Sequence, residues 1–163
     1  TEERLSAAGY RWYEISNWAY DPQHQGIHQS QHNLAYRRDQ DWWGIGPGAH
    51  SHMAGIRWWN AKHPAAYASR VLYNISPAIG QEIPNHDAQL LEKIMLGVRL
   101  AEGLDVSVLS AQDPSTASQA LAETQLLAAQ GLIEPAALDQ GKIVPTLKGR
   151  LLDDAITRRL AGF

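Results

Sequence analysis

The sequence of 163 residues contains no cysteine. That absence excludes disulfides, a thiol nucleophile and thiolate metal ligands, and it leaves a cytoplasmic location as the default expectation. No apolar run is long enough to span a bilayer, and no basic-then-apolar leader opens the chain, so no membrane span is expected. The formal net charge of -3 provides no field to hold nucleic acid or an anionic membrane. Charge is also missing locally. Neither Lys nor Arg occurs from Leu100 to Gly141, and neither Asp nor Glu between Asp41 and Glu82.

What is present is unevenly placed. The chain is 44% hydrophobic and 19% charged, enough apolar material for a packed core. All 6 Trp and all 6 Tyr lie between Tyr10 and Tyr73, and the 7 His between His24 and His86. Beyond Asn85 the chain turns to Ala, Leu and Gln. Pro77, Gly80 and Pro84 fall at the change, so a boundary is expected within residues 74–86, dividing the chain into 1–80 and 81–163.

Local patterns give the expected elements. Thr1 to Ala8 reads as the end of a helix stopped by Gly9, as in a fragment of a longer protein. Tyr10 to Ser16 is rich in aromatic and β-branched residues and predicts a strand, with Trp42 to Ile45 a second. Residues 20–41 between them read as a long polar loop, and Pro64 to Val71 as a short helix. In the second half, Leu90, Leu91, Ile94, Met95 and Val98 predict a helix over 87–100, and Ser118 to Gln130 a second one stopped by Gly131. A hairpin is expected from Leu132-Ile133 and Lys142 to Pro145, then a helix from Leu147 to Leu160 capped by Thr146. Glu14 is out of place in a strand. It must point into a polar mouth or pair with Arg11 or another neighbour.

Two motifs invite chemical readings. Gly44-Ile45-Gly46-Pro47-Gly48-Ala49 fits the dinucleotide pattern G-x-G-x-x-A, but no acidic residue follows at the distance a ribose needs, and Pro47 removes an amide. The Rossmann reading fails, leaving a tight turn that a backbone or ligand can approach. His24, His28 and His32 are spaced by four, as metal-binding histidines on a helix can be, yet Pro22, Gly26 and Ile27 oppose a helix there. His32 differs from the others in having Asn33 and Tyr36 beside it. Imidazole is the usual protein ligand of heme iron, and an adjacent amide or phenol can orient the ring. A structural histidine in a loop is the competing reading.

Tyr13-Glu14-Ile15-Ser16-Asn17-Trp18-Ala19, His32-Asn33-Leu34-Ala35-Tyr36-Arg37 and Asp41 to Ser51 occur in the order seen in one known family. The sequence resembles the oxygen-independent coproporphyrinogen III oxidases and their heme-chaperone relatives, HemN and HemW, of the radical-SAM superfamily. The resemblance implies α/β plus α architecture: the last strands of a partial (β/α) barrel, then a small winged-helix-like helical domain. It implies heme contact by His32, Asn33 and Tyr36, with His32 on the iron; Arg37 stands where relatives have Trp and would meet a propionate. It further implies that Ala19, Gly46, Gly48 and His50 lie on the S-adenosylmethionine side. Full-length relatives hold a [4Fe–4S] cluster on a Cys-x-x-x-Cys-x-x-Cys motif, whose ligands are absent here, so this chain alone is not expected to perform radical chemistry.

The expected function is therefore that of the C-terminal region of a heme chaperone, binding heme or porphyrin and passing it to an accepting protein. The chaperone branch is preferred because His32-Asn33-x-x-Tyr36 and the Gly46-Pro47-Gly48-Ala49-His50 turn are present. The alternatives are part of a coproporphyrinogen III oxidase of porphyrin biosynthesis and a non-catalytic protein-interaction module. The winged-helix-like order raises nucleic-acid binding, but the candidate reading helix has no Lys or Arg to neutralise phosphate. The paired tryptophans suit packing or an exposed barrel wall, through which self-association is expected.

Overall fold

The computed structural model describes residues 1–162. Helix α1 (Glu2–Ala7) ends at Gly9, whose φ of +82° only glycine adopts without strain. Strands β1 (Tyr10–Glu14) and β2 (Asn17–Tyr20) then form an antiparallel hairpin in which Trp12 opposes Trp18. Helix α2 (Gln31–Arg37) follows. Strands β3 (His50–Met53), β4 (Ile56–Asn60) and β5 (Ala78–Glu82) make a second antiparallel sheet in the order β3-β4-β5, with helix α3 (Pro64–Leu72) between β4 and β5. Gly80 is required in β5: a Cβ there would lie 2.4 Å from the Trp59 ring on β4.

From Asn85 onward the chain is mainly helical. Helix α4 (His86–Gly97) is capped by Asn85, which accepts a hydrogen bond from the Ala88 amide at 2.9 Å. Strand β6 (Leu104–Asp105) and a 3-10 helix (Val106–Ala111) lead to helix α5 (Pro114–Ala129), which Asp113 caps. A short helix α6 (Pro135–Leu138) precedes strand β7 (Lys142–Ile143), and helices α7 (Leu147–Arg150) and α8 (Asp153–Ala161) close the chain. Ile94 of α4 and its C-cap Val98, Leu127 of α5, Ile143 of β7 and Ile156 and Leu160 of α8 meet in one buried cluster. Burial on this scale is the main stabilising term for this region.

The mixed α/β content agrees with expectation, but the described strands form three small antiparallel sheets and no closed barrel. Several local expectations need correction. The long loop contains α2, because the Ser30 hydroxyl accepts from the Asn33 amide and starts a helix that composition did not signal. Trp42 to Ile45 is not a strand. Only Trp42 bridges, to His52, and Ile45 is 85% exposed. The ladder partner of β7 is β6, while Ile133 makes only an isolated bridge to Pro145. The final helix is two helices, broken at Leu151 and Leu152. Gly149 lets α7 approach Leu132 so closely that a Cβ there would lie 1.8 Å from its carbonyl oxygen.

The two regions meet along the free edge of β1. Ile15 N–H donates to the Arg99 carbonyl and Ala101 N–H to the Tyr13 carbonyl, each at 3.0 Å, around a Glu14–Leu100 bridge. Leu100 thereby enters a small cluster with Tyr13, Ala19 and Leu34. Ion pairs flank this contact: Arg38 with Glu102, Arg57 with Glu92, and Arg150 with Glu2.

Candidate functional site

Helix α2 is the element that organises the site. Its inward face is Leu34, 3% exposed, which packs on Tyr13 and Leu100. That orientation turns His32 and Tyr36, one helical turn apart, outward. The His32 ring meets Tyr36 edge-on at 5.0 Å, and Tyr36 lies against Trp42 at 4.5 Å with 31° between planes. Trp42 is held by two backbone hydrogen bonds with His52, of 2.7 and 3.0 Å. The result is a surface strip of imidazole, phenol and indole. No helix runs through the three spaced histidines, since His24 has a φ of +59° and α2 starts at Gln31.

Two companions of His32 are placed differently from the expectation. The Asn33 side-chain oxygen is buried without a hydrogen-bond partner among the described residues, so Asn33 does not orient the His32 ring here. Arg37 turns inward: its Nε lies 3.1 Å from Glu14 Oε1. The Glu14 carboxylate thus engages one edge of the cation expected to meet a propionate.

Glu14 is fully buried. Its Oε2 accepts from Asn17 Nδ2 at 2.6 Å and from the Ser16 amide at 3.2 Å, and its Oε1 accepts from Arg99 Nε at 3.0 Å. Burial opposes its ionisation, but Asn17, Ser16, Arg99 and Arg37 outweigh that cost and hold the carboxyl below the usual glutamate range. Arg11, considered from the sequence as a partner, donates instead to the Asp21 carbonyl. Arg99 reaches onward from Nη1 to Asp153 Oδ2 at 3.1 Å. Asp153 is 6% exposed; burial first, then repulsion from Asp154 and Glu14, push its carboxyl up to about 6 in spite of Arg99. Sequence reading singled out Glu14 as anomalous but not Arg99 or Asp153, whose partners lie 85 and 54 positions away from Arg99.

The residues assigned by resemblance to the S-adenosylmethionine side fall on two sheets. Ala19 sits on β2, 4% exposed within the Tyr13–Leu34–Leu100 cluster. Gly46 and Gly48 shape the turn before β3 with φ of +111° and +69°. His50 opens β3, its ring 5.9 Å from that of Trp59. The tightest approach in the turn is at Gly44, where a Cβ would lie 1.8 Å from the His50 carbonyl oxygen. Asn60 Nδ2 braces the turn by donating to the Gly46 carbonyl at 3.0 Å. A cavity of about 410 Å³ lies elsewhere, between the first turns of α4 and α5, and none of these candidates lines it.

Residues 85–152 match the family model of the HemN C-terminal domain. The class is that of the oxygen-independent coproporphyrinogen III oxidase-like proteins and HemW heme chaperones, and the chain belongs to this family. Within it, the chain is 39% identical over 161 residues to the heme chaperone HemW of Mycobacterium tuberculosis, covering 99% of this chain and 37% of the relative. It is 33% identical over 106 residues to HemW of Synechocystis, covering 63% of this chain and 24% of that one. The chain thus spans well under half the length of these relatives. Coproporphyrinogen III oxidase HemN from Escherichia coli, described as a radical SAM enzyme, shares the fold with a TM-score of 0.65 at 20% identity, over 98% of this chain and 39% of that one.

Proposed function

We propose that this chain is the C-terminal region of a HemW-like heme chaperone and that α2 offers heme an axial ligand through His32. The observation that supports this reading is the His32–Tyr36–Trp42 strip, in which the exposed His32 imidazole meets exposed Tyr36 on a helix anchored by Leu34, and Tyr36 in turn lies against half-buried Trp42. Imidazole binds heme iron, and aromatic faces pack against a porphyrin. Arg37 is kept as a candidate for a propionate through its terminal N–H groups, since the pairing with Glu14 engages Nε and the side chain is 28% exposed. Relatives named heme chaperones, similar over nearly the whole chain, favour heme over other planar ligands.

A [4Fe–4S] cluster requires thiolates, and this chain has none, so no step of S-adenosylmethionine cleavage is assigned to these residues. Ala19, Gly46, Gly48 and His50 are retained as candidates for the S-adenosylmethionine side on family resemblance. The proposed location is the cytoplasm, in keeping with the lack of cysteine; no described helix is long and apolar enough to cross a membrane. Exposed Trp43, Ile45, Leu72 and Tyr73 support self-association or docking of a heme acceptor.

Titration of the chain with hemin tests the site. Binding should be weak, because the open strip encloses the ligand on one side only. His32→Ala should shift or abolish the Soret band, while His24→Ala and His63→Ala leave it nearly unchanged. Equal spectra for all three variants and the parent would overturn the assignment in favour of adventitious binding.

A further inference from the structure

Four charges alternate in an unbroken line from α2 to α8. Arg37 Nε lies 3.1 Å from Glu14 Oε1; the same oxygen accepts from Arg99 Nε at 3.0 Å; Arg99 Nη1 donates to Asp153 Oδ2 at 3.1 Å. Glu14 belongs to β1, Arg99 to the turn after α4, and Asp153 to the first turn of α8. The line therefore links the helix bearing His32 to the closing helix of the other region. We propose that this relay is a positioning device for α2, in which Glu14 and Asp153 set how firmly the His32 face is held.

The direction follows from counting charge. With both carboxyls ionised, two cations face two anions and the relay is neutral. Protonation of Asp153 leaves two guanidiniums sharing Glu14, a net charge of +1 in a mostly buried seam. One cation is then in excess, and the more solvent-accessible one leaves first. The Arg37 side chain is 28% exposed against 22% for Arg99, which is also held by the backbone contacts around Leu100. The last turn of α2 is the part released. Burial makes such protonation accessible near neutrality, with the Asp153 carboxyl raised to about 6.

The other charged groups about Asp153 leave this count intact. Asp154 is exposed at the same helix end and repels it. Arg150 of α7 is committed to Glu2 at 3.0 Å, and Arg159 further along α8 to Glu123 of α5 at 2.6 Å. Asp153 Oδ1 and Thr157 Oγ1 are buried without partners among the described residues, so little else holds the carboxylate in its ionised form.

The inference rests on α2 as the heme-contacting helix only for its relevance to ligand binding; the relay itself is read without heme. Amide hydrogen exchange of residues 33–38 in the full chain, corrected for intrinsic exchange, should be about threefold to fivefold faster at about pH 5 than at about pH 7. Asp153→Asn should exchange at the faster rate at both pH values. A flat profile in the parent, which needs no variant to fold, overturns the relay, as does an Asp153→Asn profile identical to the parent's. If His32→Ala abolishes the Soret change while α2 exchange ignores Asp153, the heme reading stands and the relay falls. If His32→Ala binds heme like the parent while Asp153→Asn flattens the exchange profile, the relay stands and the heme reading falls.

Discussion

Residues 1–82 spread their apolar side chains over two small sheets and leave many in solvent, whereas residues 86–162 gather theirs into one buried cluster. The first region holds every Trp and Tyr, yet Trp43 is 64% exposed and Tyr73 76%. Its own cluster has only Tyr13, Ala19 and Leu34, completed by Leu100 from the second region. The second region, with few aromatics, buries Ile94, Leu109, Leu127, Ile133, Ile143, Ile156 and Leu160 almost completely. Aromatic content is thus no measure of a core. The first region draws its order from contacts with its neighbour, and its exposed rings serve surfaces.

Breaking the second core should have the largest effect. Leu127 is 0% exposed between α5 and its neighbours, so Leu127→Ala should cost about 3–4 kcal/mol in urea unfolding. Leu34→Ala, in the small cluster, should instead loosen α2 and leave most of the second region's cooperative unfolding in place. A loss at Leu34 as large as that at Leu127, with both regions melting together, would erase the contrast.

The pH dependence of stability sharpens the comparison at the seam. Between 3.8 and about 6 the unfolded chain has lost a proton that folded Asp153 keeps, so stability falls as pH rises through that window. Glu14 acts in the opposite sense: its stabilising contribution is present above the unfolded glutamate value of 4.5 and is lost as pH falls through its lowered folded value. Asp153→Asn should therefore remove a decline of about 2–3 kcal/mol, measured by thermal or urea unfolding across the range. Local order at α2 has the reverse sign, tightening as Asp153 ionises. The two measurements together separate global folding from the relay.

The smallest expected effect is at the rim. Arg38 and Glu102 pair at 2.6 Å, but their side chains are 37% and 47% exposed. Glu102→Ala should cost about 0.5 kcal/mol, and the difference from the parent should vanish in about 1 M salt. A cost above about 2 kcal/mol would mean that the rim pairs, rather than Leu100, carry the junction.

Much of the second region was legible in the sequence because its signals are local. The spacing of Leu90, Ile94 and Val98 predicted α4, Asn85 proved its cap, and Gly131 ended α5. Less was legible where a contact decides the outcome. The helix at Gln31 depends on a single Ser30 cap in a polar stretch, and α7, set apart from α8 at Leu151 and Leu152, presses its backbone at Gly149 onto Leu132. At the site, the family motif pointed to His32 and Tyr36, which the fold places side by side. It also pointed to Arg37 as a ligand-facing cation, and no local pattern could show that Glu14 would engage its Nε.

Only Ile83, Pro84 and Asn85 separate β5 from α4. The two faces of the seam are therefore never more than a short tether apart, and any opening is followed by intramolecular reclosure at high effective concentration. Two backbone hydrogen bonds and the packing of Leu100, too little to hold two free proteins together, suffice under such a leash. Salt or acid should then change only the fraction of time the seam is shut, without setting its halves adrift.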